Sequence, residues 1–138
     1  MKGYSSDKIR NVVLLGHGGS GKPTFLEAAL LNTKVVTRLG KVEDGNTVSD
    51  YEKMEIEKGY TINTTLVPVE YKGTKINFLD TPGFFDFQGE PRSALSIADA
   101  AVIMVDASAG VQVGTEKAWS LVKEYGTPSF IVINKIDK

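Results

Sequence analysis

The segment Gly16-His-Gly-Gly-Ser-Gly-Lys22 constrains this chain more than any other, because it lies directly between an apolar run of strand length, Asn11 to Leu15, and a helix start marked by Pro23. Glycines at that density permit turns barred to other residues and let the main chain approach a ligand closely. Leu26, Ala29 and Leu30 recur behind it at helical spacing, so the helix is expected to run to about Asn32. Strand, glycine loop and helix in that order form a cradle for phosphate: loop N–H groups wrap the oxygens and the helix N-terminus adds its positive end. Lys22 supplies the point charge for the outer phosphates. Taken alone, the segment also reads as a turn of small residues before a helix.

The rest of the chain alternates strands and helices. Thr33 to Tyr60 shows no sustained period and carries many charges, from Lys41 to Lys58, which read as a solvated loop. Thr61 to Tyr71 and Lys75 to Leu79 flank Lys72-Gly73 and predict an antiparallel hairpin, with Pro68 placing its first strand near a sheet edge. Pro91 to Ile97 predicts a short helix, Ala100 to Val105 a buried strand, Val113 to Tyr125 a helix closed by Gly126, and Phe130 to Ile133 a further buried strand. Apolar strands alternating with helices predict a three-layer α/β fold, its sheet mostly parallel with one antiparallel edge strand and covered on both faces.

Two more strand ends carry chemistry. Asp80-Thr-Pro-Gly83 puts a carboxylate at the carboxyl edge of the sheet, where nucleotides bind in such folds. There Asp80 can hold magnesium through water, and the Gly83 N–H can sense a terminal phosphate. Turns produce Asp-x-x-Gly often, so the motif alone is equally an ordinary turn. Asn134-Lys135-Ile-Asp137 follows the last apolar run. A carboxylate at Asp137 accepts from both guanine N1–H and the exocyclic amine, a donor pair adenine lacks, whereas the bland reading is a solvated turn.

Composition excludes other classes. The chain has 138 residues, 41% hydrophobic and 24% charged, consistent with one folded domain and one hydrophobic core. Sixteen Lys and Arg against 17 Asp and Glu leave a net charge of -1, so no dominant basic field for nucleic acid is expected. The aromatic residues, including Phe25, Phe78, Trp119 and Phe130, are scattered rather than arrayed as a base-stacking platform. With no cysteine and only His17, thiolate zinc sites and histidine metal clusters are ruled out. No apolar run reaches the ~18 residues of a membrane span, and the first residues lack a hydrophobic signal segment, so a cytoplasmic protein is expected.

The motifs together resemble the start of a translational GTPase, closest to elongation factor G and its paralogues, including the ribosomal protection relatives. The likeness rests on residues 16 to 22, on Glu57-Lys-Gly-Tyr-Thr61-Ile62, Phe78-Leu-Asp-Thr-Pro-Gly83, Asp106-Ala-Ser-Ala-Gly-Val-Gln112 and Asn134 to Asp137. It covers essentially the whole chain and implies a GTP-binding domain over residues 1–138 that precedes further domains, ending before the last strand and helix of the fold. It implies GTP or GDP and Mg2+ as ligands and the ribosome as partner of the full-length factor. The phosphates and base would be held by His17, Gly18, Gly19, Ser20, Gly21, Lys22, Pro23, Thr24, Asn134, Lys135 and Asp137, with His17 mainly packing the loop. Magnesium would be held by Thr61 and Asp80, and Lys22, Thr61 and Gly83 would take part in catalysis, Thr61 closing on the third phosphate.

This sequence departs from the family pattern at three places. Pro23 stands where the family has a magnesium-ligating Thr or Ser, and it offers neither hydroxyl nor N–H. Thr24 lies about 100° further round the helix. Gly19 replaces a frequent aspartate, and Phe84 occupies the place of the catalytic histidine without any group to orient water. The leading expectation is GTP hydrolysis by a ribosome-associated factor. A guanine-nucleotide clamp with little hydrolysis is the alternative that Pro23 and Phe84 favour, and an ATP-using enzyme is disfavoured by Asn134 to Asp137.

Overall fold

The computed structural model describes residues 3–41, 44–49, 56–57, 61–83 and 89–137. After a single 3₁₀ turn at Ser6–Lys8, the elements are β1 (Ile9–Gly16), α1 (Lys22–Asn32), β2 (Thr65–Tyr71), β3 (Thr74–Asp80), α2 (Gly89–Leu95), β4 (Ala100–Asp106), α3 (Val113–Tyr125) and β5 (Ser129–Asn134). The five strands form one sheet in the order β2-β3-β1-β4-β5. All neighbours are parallel except β2 and β3, the predicted hairpin, in which Pro68 faces Asn77 on the edge strand. A proline is tolerated there because an edge strand needs its ladder donors on one side only.

Strand residues alternate between two apolar layers rather than one core. Val13, Leu15, Leu79, Ala101 and Ile103 pack with Ala94 and Leu95 of α2 and with Ala118 and Val122 of α3. Leu14, Val67, Val69, Val102 and Met104 pack on the other face with Leu26 and Leu30 of α1. Period-two alternation sends neighbours to opposite faces, so a strand covered on both sides must be apolar throughout. Phe25 meets Phe78 edge to face, their centroids 6.2 Å apart, while Trp119 is exposed under the Lys123 ammonium.

One strand departs from expectation. The apolar run Phe130 to Ile133 does form a strand, but Phe130, Ile131 and Ile133 are each more than half exposed. It is the sheet's second edge and pairs only with β4, and α3 lies chiefly over β4 and β1. No helix among the described residues is long and apolar enough to cross a membrane.

Candidate nucleotide site

Parallel register brings four strand ends to one edge. Leu14 lies opposite Asp80, Gly16 opposite Met104, and Asp106 opposite Asn134. The glycine loop leaves β1 from the middle of that row. Gly16 has φ 143°, and a Cβ there would stand 2.5 Å from the Met104 carbonyl oxygen, so the exit from the strand tolerates only glycine. Gly21, at φ 91°, ends the loop as the N-cap of α1, where a side chain would overlap the amide of Asn134.

Lys22 opens α1 and is buried, its ammonium donating to the carbonyls of Gly16 at 3.2 Å and His17 at 3.4 Å. Gly83 closes over this group from β3's side: a Cβ on it would lie 2.6 Å from Lys22 Nζ and 2.7 Å from the Gly18 nitrogen. An ammonium, a loop amide and the Gly83 backbone thus converge on one point, as a phosphate cradle requires. The first-turn N–H groups of α1 have no partner within the helix, and Pro23 removes one of them. Thr24, the next residue, carries a hydroxyl but is exposed. His17 packs against the start of α3, where any side chain at Gly114 would strike it.

Asp80 is fully buried at the end of β3, and the next residue, Thr81, donates its hydroxyl to the Leu14 carbonyl at 2.6 Å, pinning the turn to β1. Thr61 is buried too, and three residues later the Thr64 N–H donates to Glu90 Oε2 of α2 at 2.8 Å. The segment carrying Thr61 is therefore tied to the helix that follows Gly83. Phe84 lies outside the described residues.

The third strand end is fastened to the loop. Asn134 Nδ2 donates to the Ser20 carbonyl at 3.1 Å, and Lys135 Nζ donates to the Gly19 carbonyl at 2.6 Å and to Asp106 Oδ2 at 2.7 Å. Asp106 also accepts from the Ser108 hydroxyl and N–H. The Lys135 ammonium, then the Ser108 hydroxyl, hold its carboxyl far below the usual carboxylate range. Asp137 stands exposed at the rim. Sequence reasoning gave no role to two residues of this arrangement, Asp106, named only within a family motif, and Glu27. Asp106 had a signal, since it ends β4 as Asp80 ends β3. Glu27 lies one helical turn before Leu30, on the face turned inward, and its buried carboxylate accepts from the N–H groups of Gly40 and Val48.

A pH dependence follows from Asp106. Its carboxyl ionises more readily folded than unfolded, so its contribution to stability is complete above the ordinary value of 3.8 and is lost as pH falls below it towards the folded value. Urea unfolding of the parent and Asp106→Asn should therefore show a stability gap that is constant from about pH 5 to 8 and closes in stronger acid. A gap unchanged through the acid range would mean that the charge of Asp106 contributes nothing.

Comparison with known proteins agrees with this geometry. The family described as the elongation factor Tu GTP binding domain matches residues 7–138. Elongation factor G of Granulibacter bethesdensis is 42% identical over 134 residues, 97% of this chain and 19% of its own length. An elongation factor G-like protein of Mycobacterium tuberculosis is 40% identical over 129 residues, 94% of this chain and 18% of its own length. A crystal structure of a Thermus thermophilus protein superposes with a TM-score of 0.90 at 45% identity, covering 94% of this chain and 20% of that one. Translation elongation factor SelB of Methanococcus maripaludis, solved with the GTP analogue GPPNHP, gives 0.68 at 25% identity, covering 93% of this chain and 22% of that one. The chain thus spans about a fifth of the length of these relatives. It belongs to the family of the elongation factor Tu GTP-binding domain, the translational GTPases, as an elongation factor G-like member.

Proposed function

We propose that residues 1–138 bind GTP and GDP and hydrolyse GTP as the nucleotide switch of an elongation factor G-like factor, acting on the ribosome in the cytoplasm. One observation supports this above the others: Asn134 and Lys135 hold the guanine-reading segment on the same loop whose far side presents Lys22 and Gly18 to Gly83. Base and phosphates would then be read by one rigid unit.

Lys22 would set its charge against the outer phosphates, with the N–H groups of Gly18 to Lys22 and Thr24 around them. Asp137 would accept from the two guanine donors, and the Gly83 N–H would face the third phosphate. The donors fit a hard divalent cation in type, since Asp80 and Thr61 offer carboxylate and hydroxyl oxygens, yet Pro23 leaves the family's loop position without a ligand. Bound magnesium would neutralise the charge that builds between the second and third phosphates. In the reaction a water oxygen bonds to the third phosphorus, the bond from that phosphorus to the bridging oxygen breaks, and GDP, phosphate and a proton leave. Neither Phe84 nor Thr81, whose hydroxyl is committed to Leu14, orients that water. Slow turnover in the isolated chain follows, at or below about 10⁻⁴ per second.

Base selection is tested by exchanging one donor pattern for another. Asp137→Asn should weaken GDP binding and strengthen binding of xanthosine diphosphate, read by displacement of a fluorescent nucleotide. Unchanged preference in that variant would remove Asp137 from base recognition.

The proline gives a separate test. A hydrogen bond to a charged group contributes about 1.5–3 kcal/mol, or roughly ten- to a hundredfold in affinity. Pro23→Thr should tighten magnesium-dependent GTP binding at least tenfold and raise single-turnover hydrolysis. If affinity, metal dependence and turnover all stay as they were, Pro23 costs this site nothing.

A further inference from the structure

Glu27 lies on α1 five residues beyond Lys22 and is only 2% exposed. A carboxylate so deeply placed needs donors, and among the described residues it has two: the Gly40 N–H donates to Oε2 at 2.8 Å and the Val48 N–H to Oε1 at 2.5 Å. Both donors are backbone groups of the irregular segment that leads towards Thr61. Gly40 is buried against the carboxylate so closely that a Cβ there would stand 2.7 Å from Oε2 and 2.7 Å from the Asn46 carbonyl.

Among the described residues the segment has little else to hold it. Val35, Leu39 and Val48 are exposed, the buried positions Thr47 and Ser49 are small and polar, and of the described residues 35–49 only Val36 packs on a core layer. The turn inside it, with the Lys41 N–H donating to Asn46 Oδ1 at 2.7 Å, is local. Among the described residues, apolar burial therefore contributes little to its placement, and the charge-assisted bonds to Glu27 carry most of it.

We infer that Glu27 is a positioning residue that fastens Gly40 and Val48 to the helix beginning at Lys22, so that order in the phosphate loop and order in the segment preceding Thr61 rise and fall together. The inference rests on the reading of Thr61 as the residue that closes on the third phosphate. Glu27 touches no nucleotide; it acts through the backbone it holds. Because Thr61 is read as closing on the metal and the third phosphate together, in the GTP-bound state, the fastening bears on GTP and not on GDP, which separates it from a general structural role.

The test uses the intact chain, Glu27→Ala and Gly40→Ala, the second entering the same contact without altering α1. Trypsin cleavage at the exposed Arg38 and Lys41 reports the segment, and affinities for GDP and for a non-hydrolysable GTP analogue report the coupling. Disruption of this contact predicts cleavage at least tenfold faster in both variants. It also predicts about tenfold weaker binding of the GTP analogue, with GDP affinity within twofold of the parent. Parental cleavage rates and an unchanged ratio of GTP analogue to GDP affinity in both variants would overturn the inference. Should circular dichroism show Glu27→Ala unfolded, Gly40→Ala decides alone. Should the parent bind neither nucleotide, the functional reading fails, while the cleavage rates without nucleotide still decide whether Glu27 fastens the segment.

Discussion

Parallel pairing of β3, β1, β4 and β5 is the constraint from which the rest of this molecule follows. Parallel strands finish together, so Asp80, Gly16, Asp106 and Asn134 stand in a row although they lie far apart in sequence. A parallel sheet also needs covering on both faces, which accounts for the two apolar layers and for the helices that start or end beside the row. Covering helices keep their polar loops at the sheet's ends, so the chemistry collects where the strands stop.

Within that row, backbone geometry and charge act together. Gly16, Gly21 and Gly83 mark places where another segment comes too close for a side chain. Lys22 lies inside the loop and Lys135 outside it, each donating to loop carbonyls. Asp106 balances Lys135 from β4. The loop is gripped by cations from two directions, which orders its remaining N–H groups before any anion arrives and lowers the entropy cost of binding one.

Local patterns in the sequence carried the architecture well. Val113 to Tyr125 is a helix with the expected ends, because its apolar face and the Gly126 that closes it are local signals. The hairpin and the edge position of Pro68 were legible for the same reason. The exposure of β5 was not, since an apolar run records that a strand forms but not whether a helix will lie over it. Likewise the partners of Glu27 are 13 and 21 residues away and the Lys135 partner of Asp106 is 29 away, and a single carboxylate in a helix or at a strand end does not say what it will meet. The glycine loop and Asn134 to Asp137 stood out individually. Their direct bonding through Ser20 and Gly19 appears only once the sheet is assembled.

The central claim is that the loop at residues 16–22 and the segment at 134–137 form one guanine-nucleotide site. Amide hydrogen exchange on the intact chain, alone and with saturating GDP or ADP, tests it most directly. The account predicts that GDP slows exchange in both segments at once, while ADP at the same concentration slows neither or the loop alone. Protection of both segments by ADP as strongly as by GDP, or no protection of residues 134–137 by GDP, would contradict it.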